Sequence, residues 1–347
     1  MSVVESFVIP DFLNLGVPDK GAHVVRKMPV VVIALHEGCG CRCVMCDIWK
    51  IREPRSISLA NLERQLDSFE RLQVQWVVLT GGEPQGHPHF YEFVAALRSR
   101  RIRITILSAG LELEADALRL ADSIDDLIVS LDGPPAVHNK IRRIPLAYER
   151  LLAGLQALRR ARPEIAIRAR CTVQKVNHAS LCETVECARA SGLDSISLLA
   201  ADLTSSAFNR PSSWKPSRQN SVALTIAELA ALEAEIERLI HRYVGRGFLV
   251  ESAEKLRRIA LHFRAHLGTA SALAPRCNAP WVSAVVEASG DVRPCFFHAA
   301  VGNIQQQTLA EIINSDRALR FRAALDIAAN PTCRRCVCSL HLPQTGA

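Results

Sequence analysis

Six short runs of β-branched and aliphatic residues alternate with amphipathic segments between residues 30 and 200, and this alternation limits the fold more than any other feature. The runs are VVVIAL (30–35), WVVLT (76–80), ITIL (104–107), LIVSL (127–131), IAIRARCTV (165–173) and SISLLA (195–200). Intervening segments such as HFYEFVAALRSR and AYERLLAGLQALRRA have helical spacing of apolar residues. Parallel strands need right-handed crossovers of this kind. The pattern predicts an α/β fold, a partial (β/α)6 parallel barrel with ligands at the carboxyl ends of its strands.

The sequence outside this alternating region divides into three further parts. Residues 203–224 are polar and interrupted by proline, which predicts a long loop or lid, and IAELAALEAEIERLIHRYV predicts a helix after it. After residue 268 the composition shifts toward small residues and cysteine, and WVSAVVEASGDVRPCFF predicts a hairpin that turns at SGD. The predicted parts are an N-terminal extension (1–28), the α/β core (29–202), a loop with linker helices (203–268) and a small hairpin-plus-helix domain (269–347).

The overall composition argues against several classes of protein. With 347 residues, 49% of them apolar, the chain can bury a substantial core. No apolar run reaches the roughly 18 residues that a membrane helix needs. Asp, Lys and Pro interrupt the first residues where a signal peptide is apolar, so we predict a cytoplasmic protein with no membrane partner. The net charge of +7 is dispersed and aromatic residues make up only 5%, which argues against a nucleic-acid partner.

Twelve cysteines in a chain predicted to be cytoplasmic favour metal ligation or redox chemistry over disulfides. Cys39, Cys43 and Cys46 form a C-x3-C-x2-C loop directly after the first β-rich run. Three thiolates can each hold one iron of a [4Fe-4S] cluster and leave the fourth iron open. Cys41 lies midway between two of these residues, and we expect its side chain to point away. Zinc is the alternative, although structural zinc sites usually pair two C-x2-C knuckles.

This cysteine loop resembles that of the radical S-adenosylmethionine (radical SAM) superfamily, and the resemblance extends over residues 29–200. It implies that SAM binds the open iron through its amino and carboxylate groups. One electron from the cluster then cleaves the bond between sulfur and the 5′ carbon, and the 5′-deoxyadenosyl radical abstracts hydrogen from a substrate. The resemblance also places Met45 near the adenine of SAM.

Three other motifs carry the same resemblance, each at the end of a predicted strand. TGGEP contributes Gly81, Gly82 and Glu83, and in the family this GGE holds the methionyl ammonium of SAM. SLDG, followed by AVHNKIRR, implies that Ser130 contacts SAM. Arg170 in RARCTVQKVN is a candidate partner for the SAM carboxylate. Asp132 and Arg142, from the second motif, could equally form a structural ion pair.

A second set of cysteines lies in the predicted C-terminal domain. Cys277 and Cys295 flank the predicted hairpin, and PTCRRCVC adds Cys333 and Cys336. Four thiolates can close around an iron-sulfur cluster or a tetrahedral zinc ion, and geometry alone does not separate the two. The spacing resembles the twitch or SPASM domain of radical SAM enzymes, which implies one auxiliary [4Fe-4S] cluster. Cys338 is spare and could replace Cys336 as the ligand.

The resemblance implies an enzyme, and three functions are compared. The first is dehydrogenation, epimerisation or decarboxylation of a small polar molecule, such as a sugar, aminocyclitol, nucleoside or cofactor precursor, in a biosynthetic pathway. Its cofactors are the open [4Fe-4S] cluster, SAM and the auxiliary cluster, and its electron donor is a protein such as flavodoxin or ferredoxin. The second function is peptide maturation. The third, an electron-transfer protein without chemistry of its own, leaves TGGEP and SLDG without a purpose.

Overall fold

A nine-stranded mixed sheet forms the centre of the molecule. The computed structural model describes residues 3–4, 7–8, 23–207, 210 and 212–342. Its strands are β1 (Val3–Val4), β2 (Phe7–Val8), β3 (Val30–His36), β4 (Trp76–Gly81), β5 (Arg103–Ser108), β6 (Asp126–Ser130), β7 (Ala166–Val173), β8 (Ser195–Ala200), β9 (Ser283–Val286), β10 (Asp291–Arg293) and β11 (Gly302–Asn303). The order in the large sheet is β11-β10-β9-β3-β4-β5-β6-β7-β8, and β1 pairs separately with β2. Most of the predicted N-terminal extension lies outside the described residues.

The six strands β3 to β8 are parallel neighbours in sequence order, which confirms the predicted α/β fold class. Helices connect them, as parallel pairing requires. The strands are buried on both faces, which explains their nearly continuous apolar sequences. Their carboxyl ends meet at one edge of the sheet, where the predicted motifs begin.

Fourteen α-helices occur in the described part of the chain. They are α1 (Leu59–Glu63), α2 (Leu66–Arg71), α3 (Phe90–Ser99), α4 (Ala117–Ser123), α5 (Pro135–Arg142), α6 (Ala147–Ala161), α7 (Leu181–Ala190), α8 (Pro216–Asn220), α9 (Ile226–Tyr243), α10 (Ala253–His266), α11 (Ala279–Val282), α12 (Leu309–Ile313), α13 (Asp316–Ala324) and α14 (Pro331–Arg334). Helix α9 begins with a capping box in which Thr225 and Glu228 satisfy each other's backbone N–H groups. The helix predicted from IAELAALEAEIERLIHRYV is therefore confirmed.

The amphipathic segment SLANLERQLDSFERL forms two short helices, α1 and α2, with Gln65 between them. The buried side chain of Gln65 accepts a hydrogen bond from Leu309 N–H at 2.7 Å and donates one to the Ile304 carbonyl at 3.2 Å. It thereby satisfies one of the free N–H groups at the start of α12. Gln65, at the break between the two helices of the first crossover, therefore links the core to the C-terminal region.

The C-terminal region continues the core sheet. The hairpin of β9 and β10 forms as predicted, and Gly290 adopts a φ of 86° at its turn, which favours glycine. Strand β9 also pairs in parallel with β3, so that Val30 lies opposite Ser283. No local pattern in the sequence indicates this pairing.

The two faces of the sheet pack against different parts of the chain. Val31 and Ile33 of β3 face the helices, whereas Val30 and Val32 share a buried cluster with Trp76 and with residues near the C-terminus, including Leu340 and Leu342. Asn278 fixes this segment: its side chain donates to the Leu342 carbonyl at 2.8 Å and accepts from Leu342 N–H at 2.9 Å. Each buried leucine contributes about 1.5–3 kcal/mol of hydrophobic stabilisation. The last described residues are therefore part of the inner core.

Candidate functional site

The cysteine loop and the TGGEP motif meet at the carboxyl edge of β3 and β4. Gly82 N–H donates to the His36 carbonyl at 2.7 Å, and Glu83 N–H donates to the Gly38 carbonyl at 2.8 Å. Gly81 has a φ of 131°, and a Cβ at Gly82 would lie 2.1 Å from the Gly38 oxygen. The two glycines therefore allow the motif to pack directly against the cysteine loop.

The cysteine loop is more compact than its sequence suggests. The buried thiol of Cys41 lies within hydrogen-bonding range of both Cys39 and Cys43, so the expectation that Cys41 points away is wrong. The hydrogen bond from Cys41 and the charge of Arg142 lower the pKa of Cys43 to about 6. Burial raises the pKa of Cys46 to about 12. Because metal ligation requires thiolates, loading this loop releases protons.

Arg142 connects the cysteine loop to the sheet. Its Nη2 donates to Asp132 Oδ2 at 2.5 Å, and its Nη1 lies 3.5 Å from the Cys43 Sγ. Asp132 is fully buried and also accepts from Thr172 N–H at 2.8 Å. The Val44 N–H donates to the Ile141 carbonyl on the same helix, α5, at 2.9 Å. Asp132 and Arg142 thus form a buried ion pair, and removing one partner of such a pair costs about 3–5 kcal/mol.

Glu83 is a buried carboxylate with one unused oxygen. Its Oε2 accepts from Ala109 N–H at 2.9 Å, whereas its Oε1 is buried without a hydrogen-bond partner among the described residues. The side chain is 7% exposed, and burial raises its pKa to about 7. An unpaired buried acceptor is costly, so this position fits a ligand that brings a cationic donor.

Ser130, Arg170 and Met45 lie around the same edge. Ser130 ends β6 and lies opposite Arg170 in the register of β6 and β7. Arg170 is also close enough to Glu251 and Cys338 to interact electrostatically with both. Met45 packs beside the cysteines of the loop. The described structure therefore brings the predicted SAM residues to one edge, and Arg170 also faces the C-terminal region.

The C-terminal cysteines form a second group. Cys336 interacts electrostatically with Cys277, Cys295 and Cys338, and Cys333 interacts with Cys277 and Cys295. Burial raises the pKa of Cys295 to about 12 and of Cys333 to about 11. In the described part of the chain, no three His, Cys, Asp or Glu side chains are placed to hold one metal ion together.

His298 is part of this group, and its sequence context gives no signal of it. Its Nε2 lies 3.4 Å from the Cys333 Sγ, and its ring packs edge-on against Phe321 with centroids 4.9 Å apart. Burial lowers the pKa of His298, so the imidazole is neutral near pH 7 and one ring nitrogen can donate.

The predicted lid contacts the cysteine loop through residues that sequence patterns did not single out. Trp214 Nε1–H donates to Asp47 Oδ2 at 2.6 Å, and Arg218 lies 3.6 Å from the other Asp47 oxygen. The guanidinium groups of Arg210 and Arg218 lie 3.8 Å and 4.6 Å from the Trp214 ring centroid. These contacts place Trp214 over the end of the loop that carries Cys46.

A cavity of about 1070 Å3 lies beside this edge. Its walls come from the carboxyl end of β8, from the lid, from α10 and from the C-terminal segment that includes Cys336. This volume slightly exceeds the usual size range for a small-molecule site, roughly 300–1,000 Å3.

Two family models match this chain. Residues 33–193 match the radical SAM superfamily, and residues 277–337 match the SPASM iron-sulfur cluster-binding domain. The chain carries a radical SAM domain followed by a SPASM domain. The radical SAM domain implies a [4Fe-4S] cluster and SAM, and the SPASM domain implies auxiliary iron-sulfur clusters. The thiols of the cysteine loop fit a [4Fe-4S] cluster, and the unused Glu83 oxygen fits SAM.

Curated relatives of this chain match over part of their length. The AdoMet-dependent heme synthase of Methanosarcina barkeri is 28% identical over 163 residues, which are 46% of each chain. The pre-heme d1 synthase of Dinoroseobacter shibae is 28% identical over 172 residues, 48% of this chain and 42% of the relative. The mycofactocin maturase MftC of Mycobacterium tuberculosis is 30% identical over 123 residues, 35% of this chain and 32% of the relative. Less than half of each relative is therefore matched.

Solved structures share the fold over more of the chain. Streptococcus suis SuiB bound to S-adenosylmethionine has a TM-score of 0.64 at 15% identity, and the match covers 90% of this chain and 73% of SuiB. Native anSMEcpe with bound AdoMet has a TM-score of 0.60 at 17% identity and covers 89% of this chain and 86% of its own. None of the described helices is both long and apolar enough to span a bilayer.

Proposed function

We propose that this chain cleaves SAM reductively and uses the resulting radical to abstract hydrogen from a small polar molecule bound in the cavity beside α10. Glu83 carries the proposal, because one oxygen of its buried carboxylate has no hydrogen-bond partner among the described residues, next to the cysteine loop. With cluster and SAM bound, such a site supplies one electron that splits the sulfonium and yields a 5′-deoxyadenosyl radical. The chain's own residues bind, orient and enclose these groups.

The residues of the first site have separate roles in this proposal. Cys39, Cys43 and Cys46 ligate the cluster, and Glu83 accepts hydrogen bonds from the ammonium of SAM. Gly81 and Gly82 hold the Glu83 backbone against the cysteine loop. The remaining assigned side chains, which contact other parts of SAM, are Met45, Ser130 and Arg170.

In the C-terminal site, Cys277, Cys295, Cys333 and Cys336 ligate one auxiliary [4Fe-4S] cluster. Cys336 is favoured over Cys338 because it interacts with both Cys277 and Cys295, whereas Cys338 interacts with Arg170. Cys338 therefore lies between the two sites. A cluster with four thiolate ligands has no open iron, so its proposed work is electron transfer or substrate positioning.

A small molecule is favoured as the substrate because the cavity is concave and its wall includes both the carboxyl end of β8 and Cys336 of the C-terminal group. Dehydrogenation, epimerisation and decarboxylation are the reactions proposed for it. Peptide maturation is the second candidate, and the partial similarity to a mycofactocin maturase favours it. Electrons come from an electron-donor protein such as flavodoxin or ferredoxin, and the proposed location is the cytoplasm.

The first test is an anaerobic purification followed by iron and sulfide analysis and reduction with dithionite in the presence of SAM. We expect about eight irons per chain, as two [4Fe-4S] clusters require, together with 5′-deoxyadenosine. About four irons without SAM cleavage would instead support an electron-transfer protein. One equivalent of zinc in place of the second cluster would contradict the auxiliary-cluster assignment. Candidate substrates are then screened in deuterium oxide by mass, which separates hydrogen return from net oxidation or loss of carbon.

His298 provides a prediction for the auxiliary site. His298→Ala removes a hydrogen bond to the Cys333 sulfur, and such bonds stabilise the more negative, reduced cluster. We expect the reduction potential of the auxiliary cluster to fall by tens of millivolts, since about 59 mV corresponds to 1.4 kcal/mol for one electron. A redox titration followed by electron paramagnetic resonance measures the shift. His298→Gln, which keeps a donor, should recover part of it, and the exposed His241→Ala should show none. An unchanged potential in His298→Ala would show that no such hydrogen bond forms.

A further inference from the structure

The cavity beside α10 has an excess of positive charge. Six of its lining residues are Lys or Arg: Lys255, Arg257, Arg258, Arg276, Arg334 and Arg335. The one carboxylate among its lining residues in the described structure belongs to Glu254. Two of the six already have carboxylate partners, since Lys255 lies 3.3 Å from Glu251 and Arg257 lies 2.8 Å from Glu237. The excess positive charge of the cavity therefore comes from its other four arginines, Arg258, Arg276, Arg334 and Arg335. Concave walls of one sign raise the local concentration of ligands of the opposite sign.

The cations stand on different walls of the cavity. Lys255 and Arg258 come from α10, whereas Arg334 and Arg335 come from the C-terminal segment and Arg276 from the chain before Cys277. A ligand with a single acidic group would use one wall. A ligand with two or more separated acidic groups would use both.

The cavity joins the C-terminal cysteine group directly. Arg258 Nη2 donates to the Cys336 carbonyl at 2.7 Å, so α10 and the cysteine segment touch at the cavity wall. The rest of the lining is mixed, with apolar members such as Leu199 and Ile259 and polar members such as Gln219 and Ser339.

His262 and His266 also line the cavity, and they contribute little positive charge at neutral pH. Burial lowers the pKa of His262 to about 4, and burial followed by the charge of Arg335 lowers that of His266. The other charged groups facing them are Asp202 near His262 and Arg258 on the same helix. The positive charge of the cavity therefore comes from lysine and arginine and persists above pH 7.

We propose that the substrate is an organic anion with at least two carboxylate or phosphate groups, bound by the cationic walls of this cavity. The proposal rests on the proposed function and adds the chemical class of the substrate. Arginine forks bind carboxylate and phosphate oxygens in pairs, and the mixed polar and apolar lining contacts the rest of the molecule.

The test measures binding of tricarballylate and of inorganic pyrophosphate to the reconstituted holoenzyme by anaerobic calorimetry. We expect saturable binding of at least one anion, weaker at higher ionic strength, and a loss of about tenfold or more in the double variant Arg276→Gln and Arg335→Gln. The matched control is Arg246→Gln, an exposed arginine on the loop after α9. Thermal unfolding and iron content establish that each variant is folded. Arg258→Gln, on α10 and distant in sequence from the ligand cysteines, replaces the double variant if that protein does not load iron.

Each outcome decides the proposal. Preference for tricarballylate identifies a polycarboxylate, and preference for pyrophosphate identifies a phosphate ester. No saturable binding, or equal binding in the double and control variants, would overturn it. If a hexaglutamate peptide binds but neither tricarballylate nor pyrophosphate does, the proposal is overturned in favour of an acidic peptide. The binding assay requires no SAM cleavage. Anion binding without SAM cleavage would therefore contradict only the proposed function, whereas SAM cleavage without anion binding would contradict only this inference.

Discussion

Replacing Cys43 with alanine is expected to abolish SAM cleavage and to remove one cluster, about four of eight irons per chain. Cys43 is buried, and Arg142 lies 3.5 Å from its sulfur, so water cannot easily take its place as a ligand. Its pKa is also lowered, which favours the thiolate that iron needs. Cys39→Ala and Cys46→Ala should have the same effect. The measurements are iron content, the electron paramagnetic resonance spectrum of the reduced protein and production of 5′-deoxyadenosine.

Three other cysteines provide the controls for this experiment. Cys187→Ala, on α7, should keep both clusters and full SAM cleavage. Cys41→Ser tests whether the thiol between Cys39 and Cys43 is a ligand, and we expect it to keep the iron. Cys277→Ala should lose the auxiliary cluster and substrate turnover while some SAM cleavage remains. A Cys43→Ala protein that retains its full iron content, or a Cys41→Ser protein that loses four irons, would show that the ligand set is wrong.

Much of the fold follows from local sequence patterns. The strands β3 to β8 and the hairpin turn at Gly290 were predictable because periodicity and turn chemistry are properties of neighbouring residues. The candidate site was predictable for a topological reason, since motifs that follow parallel strands must gather at one edge of the sheet. Glu83 and Cys39 come from different strand ends and still meet there.

Long-range contacts could not be predicted in the same way. Strand β9 pairs with β3 across about 250 residues, and its short apolar sequence would fit several partners equally well. Trp214 donates to Asp47 across 167 residues of sequence separation, and His298 reaches Cys333 across 35. Cys41 shows the same limit over a short distance, because its orientation depends on the packing of Arg142 and α5 against the loop. These contacts depend on tertiary packing, which local propensity does not encode.

Replacing Glu83 with glutamine is expected to weaken SAM binding by roughly tenfold to a hundredfold, because a charge-assisted hydrogen bond of about 1.5–3 kcal/mol is lost. Wild-type affinity should also fall as the pH drops below about 7, where protons compete for the carboxylate, and the variant should lack this dependence. Anaerobic equilibrium dialysis with labelled SAM measures both effects. Glu114→Gln, which changes an exposed carboxylate in the segment before α4, is the matched control.

In the absence of SAM, Glu83→Gln is expected to stabilise the folded protein, because the wild type must bury a charged carboxylate as the pH rises. The pKa of Glu83 is raised from 4.5 to about 7 by burial, so the folded protein binds its proton more tightly than the unfolded chain does. Stability from this group is present below pH 4.5 and is lost as the pH rises toward 7, by about 3 kcal/mol at most. The free energy of unfolding of Glu83→Gln should therefore rise relative to wild type between these pH values and stay level above them. Thermal unfolding at several pH values measures the difference, and a difference that does not change with pH would show that the Glu83 carboxylate is not held at a raised pKa.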